Sequence, residues 1–445
     1  MQEKPGGRAV VLGGSMAGLL TARVLSDAYT EVVVVDRDRI VGVTTARRGV
    51  PQGRHVHGLL ARGQQVLDEL FPGFTEDAVA AGVPTGDLGE LRWFFNGQRL
   101  RKGTTGLLCV SADRPVLEGM VRARVAALPN VRFEEETDVA GLVATPDRAR
   151  ITGVRVSEHG GDGTERVIEA DLVVDATGRG SRTPVWLAEL GYERPAEEKV
   201  RIDLTYTTRH FRLRDESRLD GDLSINPVSS PSHPRGAFFS RVGDGRCIVS
   251  MTGVLGDAAA PDGESFMAWA RSLPVPDVHD VIHDAEPLDE PVAFKYPASV
   301  RRRYELLERF PERLLVHGDA MCSFNPVYGQ GMTVAALEAL ALRTHLARGV
   351  PEPLVYFKDL AALIDVPWQV SAGGDLAYPE VEGPRPPELQ MMNSYMALMQ
   401  SAATRDGAVT RTFMRVAGLV DSPAELQTPD MIYRVLKHGT SPAAA

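Results

Sequence analysis

Three features are scarce or missing in this 445-residue chain, and each absence excludes a class of protein. The three cysteines lie far apart, with no CxxC pair and no zinc-type spacing, so neither a disulfide framework nor a metal site is expected. No apolar run approaches the length of a membrane span. A net charge of -10 disfavours a broad nucleic-acid-binding surface.

The remaining composition is that of an ordinary globular protein, with 43% apolar and 24% charged residues. The length exceeds one ordinary core and favours two or three intertwined ones. The polar N-terminus enters a strand within about ten residues, which is too soon for a signal peptide. We therefore expect a cytoplasmic protein without nucleic-acid partners.

The chain begins with a strand–turn–helix–strand pattern. The apolar run at residues 8–12 precedes a Gly-rich turn, a helical segment follows, and the strand at residues 31–35 ends at Asp36. In a dinucleotide fingerprint, glycines permit a tight turn and close packing, and the helix N-terminus faces the pyrophosphate. Here Gly13 and Gly18 fill the outer positions, Ser15 takes the middle one, and Asp36 would bind the adenosine ribose. The predicted binding residues are Gly13, Gly14, Ser15, Met16, Ala17, Gly18, Asp36 and Arg37.

A second glycine-containing segment follows the buried strand predicted at residues 314–316. Asp319, at a strand end, is suited to a ribityl hydroxyl, and the next helix would begin with free amides aimed at a flat ring. Alone, this pattern is equally typical of a capped helix after a loop. The candidate residues are Gly318, Asp319, Pro326, Gly329, Gln330, Gly331 and Met332.

Taken together, these two segments resemble the class A flavoprotein monooxygenases, which have the para-hydroxybenzoate hydroxylase fold. The resemblance extends over most of the first 350 residues and implies FAD as cofactor. It also implies that Arg48 lies near the FAD phosphates and the nicotinamide route, and that Arg114 reaches the flavin's linker. Thr177-Gly178 replaces the family's usual Asp-Gly, a difference that bears on NADPH handling more than on FAD binding.

Three segments narrow the resemblance: residues 48–55, 175–181 and 324–332. They are similar to an actinobacterial branch that contains flavin epoxidases of polyether biosynthesis and flavoproteins that catalyse decalin-forming [4+2] cycloadditions. The flavin-dependent halogenases are a weaker match, because their Trp-x-Trp-x-Ile-Pro motif is absent.

The predicted fold class is α/β: a Rossmann-type FAD-binding domain, an antiparallel-sheet substrate domain and a helical C-terminal region. The FAD-binding domain is predicted to be discontinuous, from residues 1–75, 108–195 and 290–350. Residues 76–107 and 196–289 form the predicted substrate-binding domain, and residues 351–445 the helical region. Tyr206, Phe238 and Phe239 lie on the second sheet, but the pattern leaves open which face each of them occupies.

Two local signals predict single elements. A helix is expected from about His57 to Leu70, where Pro72-Gly73 ends it. Asn96-Gly97, between apolar segments, predicts a two-residue β-hairpin.

The favoured function is a monooxygenase, in which NAD(P)H transiently reduces FAD and molecular oxygen reacts through a flavin C4a-hydroperoxide. Its substrate would be a small apolar organic molecule of polyketide or terpenoid type, epoxidised or hydroxylated. The alternatives are a non-redox cyclase that uses FAD as a structural wall, and a flavin reductase of isoprenoid double bonds. No catalytic side chain is predicted, because the flavin is the reagent. His55 is interpreted as a surface or packed histidine, with a place near the flavin as the alternative.

Overall fold

The computed structural model describes residues 6–440, whose strands and helices we number in chain order. The strands are β1 Gly6–Leu12, β2 Tyr29–Val35, β3 Thr85–Asp87, β4 Arg92–Phe95, β5 Gln98–Arg99, β6 Leu108–Val110, β7 Val131–Glu134, β8 Thr137–Ala144, β9 Ile151–Glu158, β10 Glu165–Glu169, β11 Leu172–Asp175, β12 Glu197–Arg212, β13 Ser224–Pro227, β14 Arg235–Gly243, β15 Arg246–Gly253, β16 Glu286–Pro287, β17 Val292–Arg302, β18 Leu314–Val316 and β19 Cys322–Ser323. The helices are α1 Met16–Ala28, α2 Ala61–Leu70, α3 Phe74–Ala80, α4 Arg114–Ala126, α5 Thr183–Glu189, α6 Gly263–Ser272, α7 Asp277–Ile282, α8 Gly331–Leu346, α9 Pro353–Asp375, α10 Pro387–Ala403, α11 Gly407–Ala417 and α12 Pro429–His438.

A five-stranded parallel sheet, in the order β18-β11-β1-β2-β7, carries the predicted nucleotide-binding segments. Its central strands read as continuous Val, Leu and Ala runs because helices cover both faces. The carboxyl ends of β1, β11 and β18 meet at one edge, since parallel strands run in the same direction. The turns at Gly13, Ala176 and Gly318 are thereby brought together.

A second, larger sheet is largely antiparallel and has β12 near its middle, between β15 and β17. One face packs against α6 and α7 in an apolar cluster that includes Phe239 and Met251. The other face carries Tyr206, Thr208 and Ser250, whose side chains alternate with the first set along the strands. This alternation settles which face of the sheet is available to the site.

The C-terminal part is helical, as predicted, and its last three helices, α10, α11 and α12, share one apolar cluster with the segment between β3 and α4. Met399, Val409 and Phe413 share a cluster with Leu88 and Leu100. Among the described residues 6–440, no helix is both long and apolar enough to cross a membrane.

Two local predictions differ from the structure. The helix expected from about residue 57 begins at Ala61, because the backbone amides of Val56 and Leu60 bond to the hydroxyls of Ser250 and Thr333. Val292–Arg302, which the predicted boundaries assign to the FAD-binding domain, pairs instead with β12 of the large sheet. By contrast, the hairpin predicted at Asn96-Gly97 is present, with positive φ angles of 50° and 70°.

Candidate active site

The two predicted nucleotide-binding turns touch each other. Gly13 has a φ of 96°, and a Cβ on Gly18 would lie 1.8 Å from the Gly13 carbonyl oxygen. Gly318, with a φ of 64°, packs on α1 so closely that a Cβ there would lie 2.8 Å from the Ala17 Cβ. These glycines are required by the close approach of backbones, so the two segments form the floor of one recess.

The N-terminus of α1 opens into this recess. The Ser15 side chain does not cap the helix, and its hydroxyl instead donates to Glu118 Oε2 at 2.8 Å. Asp36 accepts hydrogen bonds from the backbone amides of Gly14, at 2.7 Å, and Asp38, at 2.8 Å. The helix therefore retains free amide donors, the arrangement that binds phosphate oxygens.

A buried cluster of charged side chains lies beside that helix end. Glu118 is 3% exposed and forms ion pairs with Arg47 at 2.7 Å, Arg122 at 2.6 Å and Arg114 at 3.1 Å. Burial raises the pKa of Glu118, but the arginines and Ser15 outweigh it and lower the pKa to about 2. Three guanidinium groups share this carboxylate, and Arg47 also pairs with Asp36 and Asp38, so the cluster presents oriented guanidinium donors beside the helix end.

The predicted arginines fall in two places. Arg114 belongs to the buried cluster with Glu118, whereas Arg37 and Arg48 are exposed and line a surface cleft of about 320 Å³. Arg47, which we did not predict, is the buried member of its pair and also contacts Asp36 at 3.5 Å. The dipeptide Arg47-Arg48 predicts a positively charged side chain in this loop, but only the path of the loop shows which of the two arginines points inward.

The second predicted segment forms the opposite wall. Asn325 precedes the 3-10 turn Pro326–Tyr328, Gly329 has a left-handed φ of 66°, and α8 begins without a side-chain cap from Gln330. Gln330 Oε1 is buried without a hydrogen-bond partner among residues 6–440. Asp319 lies nearby, with Oδ1 at 3.7 Å from the position of a Cβ on Gly331. Burial raises the pKa of Asp319, although Arg179, Arg114 and Arg302 act in the opposite direction.

These features fit a dinucleotide with a flat polar ring. The α1 terminus and the arginine cluster match two phosphates, and the uncapped α8 terminus with the unpartnered Gln330 oxygen matches the polar edge of a ring. Met332, in the first turn of α8, is buried in the core. The fold and the site together define a dinucleotide-binding oxidoreductase of the flavin type.

The Thr177-Gly178 departure has a structural explanation. Asp175 is fully buried and accepts hydrogen bonds from the hydroxyls of Thr177, Ser181 and Thr183 at 2.5 to 2.6 Å. The Asp175 carboxylate is therefore engaged by hydrogen bonds within the turn. Gly178 has a φ of 76° and packs near Asp319, so this segment shapes the floor of the recess.

His55 lies inside the protein, at the junction of the Arg47 loop and the large sheet. It is 3% exposed, and its Nδ1 lies 2.7 Å from the Thr208 hydroxyl, which in turn is 2.6 Å from the Ser250 hydroxyl. Burial, with Arg54 and His210 nearby, lowers the pKa of His55 to about 4, so the ring is neutral at neutral pH. The sequence predicts a surface or packed histidine at this position; His55 is packed, and it joins a chain of hydroxyl groups.

Aromatic side chains continue this face towards the turn. Tyr206, Phe238 and Phe294 belong with Val327 of the 3-10 turn to one apolar cluster. The His55 ring is 5.9 Å from that of Tyr206 and 5.4 Å from that of Phe294. Alternation along β12 could have suggested that Tyr206 and Thr208 share a face, but the contact with His55 depends on chain segments about 150 residues apart.

Comparison with known proteins identifies the family. Residues 9–295, more than half of the chain, match the family model described as FAD dependent oxidoreductase, and the chain belongs to this family. FAD is therefore its cofactor, as predicted. Protein Rv3254 of Mycobacterium tuberculosis is 36% identical over 461 residues, covering 98% of this chain and 94% of that protein. Kynurenine 3-monooxygenase of Salinispora tropica is 27% identical over 350 residues, covering 75% and 71%.

Solved structures show the same fold. A flavoprotein/dehydrogenase from Cytophaga hutchinsonii superposes with a TM-score of 0.69 at 16% identity, and 96% of each chain is covered. The Diels-Alderase PyrE3 of the pyrroindomycin pathway superposes with a TM-score of 0.61 at 17% identity, covering 93% of this chain and 81% of that one. The predicted fold class is confirmed. The fold accommodates more than one kind of chemistry, so function must be argued from the site.

Proposed function

We propose that this FAD-dependent oxidoreductase is a monooxygenase that epoxidises or hydroxylates a small apolar molecule of polyketide or terpenoid type. The contact of the turn Pro326–Tyr328 with the aromatic face of the large sheet carries the proposal: Val327, Tyr206, Phe238 and Phe294 form one cluster. An apolar wall beside the flavin-facing turn would exclude water and bind an apolar substrate.

The chain's own residues would divide the work of binding FAD. Arg47 and Arg114, with the α1 amides, would hold the pyrophosphate; Asp36 and Asp319 would hold the ribose and ribityl hydroxyls. The α8 N-terminus would stabilise negative charge on the pyrimidine side of the ring. When bound, FAD supplies the oxygen chemistry, with NAD(P)H as transient reductant and molecular oxygen as co-substrate.

Thr208 and Ser250 are 2% and 0% exposed, and their hydroxyls bond to His55 and to the Val56 amide, so they would hold the His55 loop against the apolar wall and shape the substrate site from behind. The neutral His55 ring keeps this hydroxyl chain connected without placing a charge in an apolar site. An alkene to be oxidised needs little more than an apolar site that holds it in a fixed orientation, because the side chains do not carry the bond-making step.

The test is anaerobic addition of NADPH or NADH to the FAD-loaded protein, with apolar polyenes and phenols as candidate substrates, followed by air. Bleaching of the flavin absorbance and a product heavier by one oxygen atom would support the proposal. A cyclised product of unchanged mass, with the flavin oxidised throughout, would replace it by the non-redox cyclase. A product heavier by two hydrogens would replace it by the double-bond reductase.

Two adjacent threonines on β12 provide a matched pair of variants for the substrate face. Thr208→Val removes the hydroxyl that holds His55 behind the substrate site, whereas Thr207→Val removes one that donates to the Ala259 carbonyl on the opposite face at 2.7 Å. We expect only Thr208→Val to raise KM, by about tenfold for the loss of one hydrogen bond. Equal effects of both variants would argue against binding at this face.

A further inference from the structure

A buried carboxylate adjoins the turn Pro326–Tyr328 from the first of the C-terminal helices. Asp375 ends α9 and is 1% exposed. Its Oδ1 accepts hydrogen bonds from Asn325 Nδ2 at 2.8 Å and from the Tyr328 hydroxyl at 3.4 Å. Its Oδ2 is buried without a partner in the described part of the chain. An ionised carboxylate is costly in such surroundings, which favours the protonated form.

Asp375 acts on the turn through Asn325. The Asn325 side-chain oxygen accepts a hydrogen bond from the Val327 backbone amide at 3.0 Å. The backbone amide of Asn325 donates to the Ser371 hydroxyl at 3.2 Å. Asn325 is therefore tied to α9 at two points while it caps the turn. Any change at Asp375 reaches Val327, the residue that packs against the aromatic face.

The sequence of α9 makes room for this contact. Gly373 and Gly374 precede Asp375 inside the helix, where each glycine costs about 1 kcal/mol relative to alanine. A Cβ on Gly374 would lie 2.2 Å from the Tyr328 hydroxyl oxygen, and a Cβ on Gly373 would lie 3.0 Å from Leu389. The glycine at 374 thus permits the approach of Tyr328 to Asp375.

We propose that Asp375 is a positioning residue that orients the turn through Asn325 and Tyr328 and holds an exchangeable proton beside the substrate site. Its role in turnover rests on the proposed function, but its control of the turn and of this proton does not. The residue would link the C-terminal helices, which the family model does not cover, to the reactive part of the site.

The surrounding groups leave Asp375 as the one that titrates. Burial raises its pKa to about 7, against the opposing effect of the hydrogen bonds from Asn325 and Tyr328. The neighbouring phenols are Tyr206 on β12, Tyr328 in the turn and Tyr378 after α9, and burial raises the pKa of each. These phenols stay neutral near pH 7, so a change of charge there is assigned to the carboxyl group.

The experiment follows the visible spectrum of the bound FAD and the infrared band of protonated carboxyl groups between about pH 5 and 9. The proteins are the FAD-loaded wild type, Asp375→Asn, Tyr328→Phe and Gly374→Ala, with the exposed Glu380→Gln as matched control. We expect a titration near pH 7 in the wild type and in Glu380→Gln that is absent from Asp375→Asn, beside one near pH 8 from Glu338 that all the proteins share. Tyr328→Phe and Gly374→Ala should raise the midpoint, because the first removes the Tyr328 hydroxyl and the second displaces it from the carboxylate.

A titration near pH 7 that persists in Asp375→Asn, in addition to that of Glu338 near pH 8, would overturn the proposal, as would the absence of the titration near pH 7 from the wild type. If Asp375→Asn does not retain FAD, the test is the titration midpoint of the carboxyl infrared band in Tyr328→Phe. An upward shift of that midpoint relative to the wild type would support the proposal, and an unchanged midpoint would contradict it. Because neither readout needs a substrate, they are independent of the monooxygenase assignment. If oxygenation is found, Asp375→Asn should also lose the near-neutral limb of the pH profile of kcat, with a smaller change in KM.

Discussion

The hydroxyl of Ser15 donates a 2.8 Å hydrogen bond to Oε2 of Glu118, which lies 103 residues further along the chain. Ser15 occupies the position of the middle glycine in a dinucleotide fingerprint, and this bond gives its hydroxyl a fixed partner at the edge of the recess. Glu118 also orders Arg47, Arg114 and Arg122. Arg47 also pairs with Asp36 at 3.5 Å and with Asp38 at 3.3 Å, so three guanidinium groups are balanced by three carboxylates, and what they offer a pyrophosphate is oriented hydrogen-bond donors.

The first prediction concerns the stability of this cluster. Glu118→Gln should lower the free energy of unfolding of the FAD-free protein by about 3–5 kcal/mol, because it leaves buried guanidinium groups without their counter-charge. Ser15→Ala should cost only about 1 kcal/mol, the contribution of one hydrogen bond. Urea unfolding measures both. Equal stability of Glu118→Gln and the wild type would mean that solvent already screens the arginines.

The second prediction concerns the turn between β1 and α1. Gly18→Ala would place a methyl group 1.8 Å from the Gly13 carbonyl oxygen, which forces α1 away from β1 and removes the amides from the recess. We expect loss of bound FAD after purification. Gly58→Ala is the matched control, since a Cβ there has nothing within 4 Å. Retention of FAD by Gly18→Ala, at wild-type stoichiometry, would separate this turn from cofactor binding.

The sequence was sufficient for those parts of the site that depend on local geometry. Gly13, Gly18 and Asp36 lie in one strand–turn–helix–strand unit, where backbone approach restricts the residue types regardless of the remaining fold. Asn96-Gly97 could be identified for the same reason, since both positions need positive φ. In each case the decisive contacts lie within a few residues or one supersecondary unit.

The sequence was insufficient where contacts between distant segments of the chain determine the local structure. The hydroxyl chain from His55 to Ser250 joins a loop to two strands, and the register of those strands cannot be deduced from alternation alone. The start of α2 was misplaced because Thr333, on another helix, binds the Leu60 amide. Asp375 lacked any motif, and only its three-dimensional position shows that it meets the turn.

The third prediction concerns a histidine between two carboxylates on the site-facing side of the large sheet. His210 Nδ1 lies 2.6 Å from Asp289 Oδ2, and its Nε2 lies 3.6 Å from Asp113. Burial lowers the pKa of His210, but Asp113 and Asp289 outweigh it and raise the pKa to about 9. Its stabilising contribution is therefore complete below about pH 6.5 and is lost as the pH rises through about 9.

Accordingly, the difference in unfolding free energy between the wild type and His210→Gln should shrink from pH 6.5 to about pH 9. Denaturant unfolding across this range provides the measurement. His159→Gln serves as control, because the His159–Asp138 pair is nearly half exposed and solvent screens it. A constant difference between wild type and His210→Gln would show that these carboxylates do not raise the pKa of His210.

The fourth prediction concerns the carboxyl group behind the Gly318 turn. Glu338 Oε2 accepts a hydrogen bond from the Gly318 amide at 2.6 Å and lies 3.1 Å from His317 Nε2, with both side chains fully buried. Burial raises the pKa of Glu338 to about 8 and lowers that of His317 to about 3, so both are neutral at pH 7. The native state then holds a proton that the unfolded state releases above about pH 4.5, and stability falls as the pH rises from there to about 8.

Glu338→Gln lacks this proton, while its amide oxygen can still accept from Gly318. We therefore expect the variant to gain stability relative to the wild type as the pH rises from 4.5 to about 8, and then to remain level. Thermal unfolding over that range measures the difference. If the difference did not depend on pH, Glu338 would have to be ionised in the native protein; a buried charge next to Gly318 would then repel the anionic ligand that the adjoining recess is built to bind.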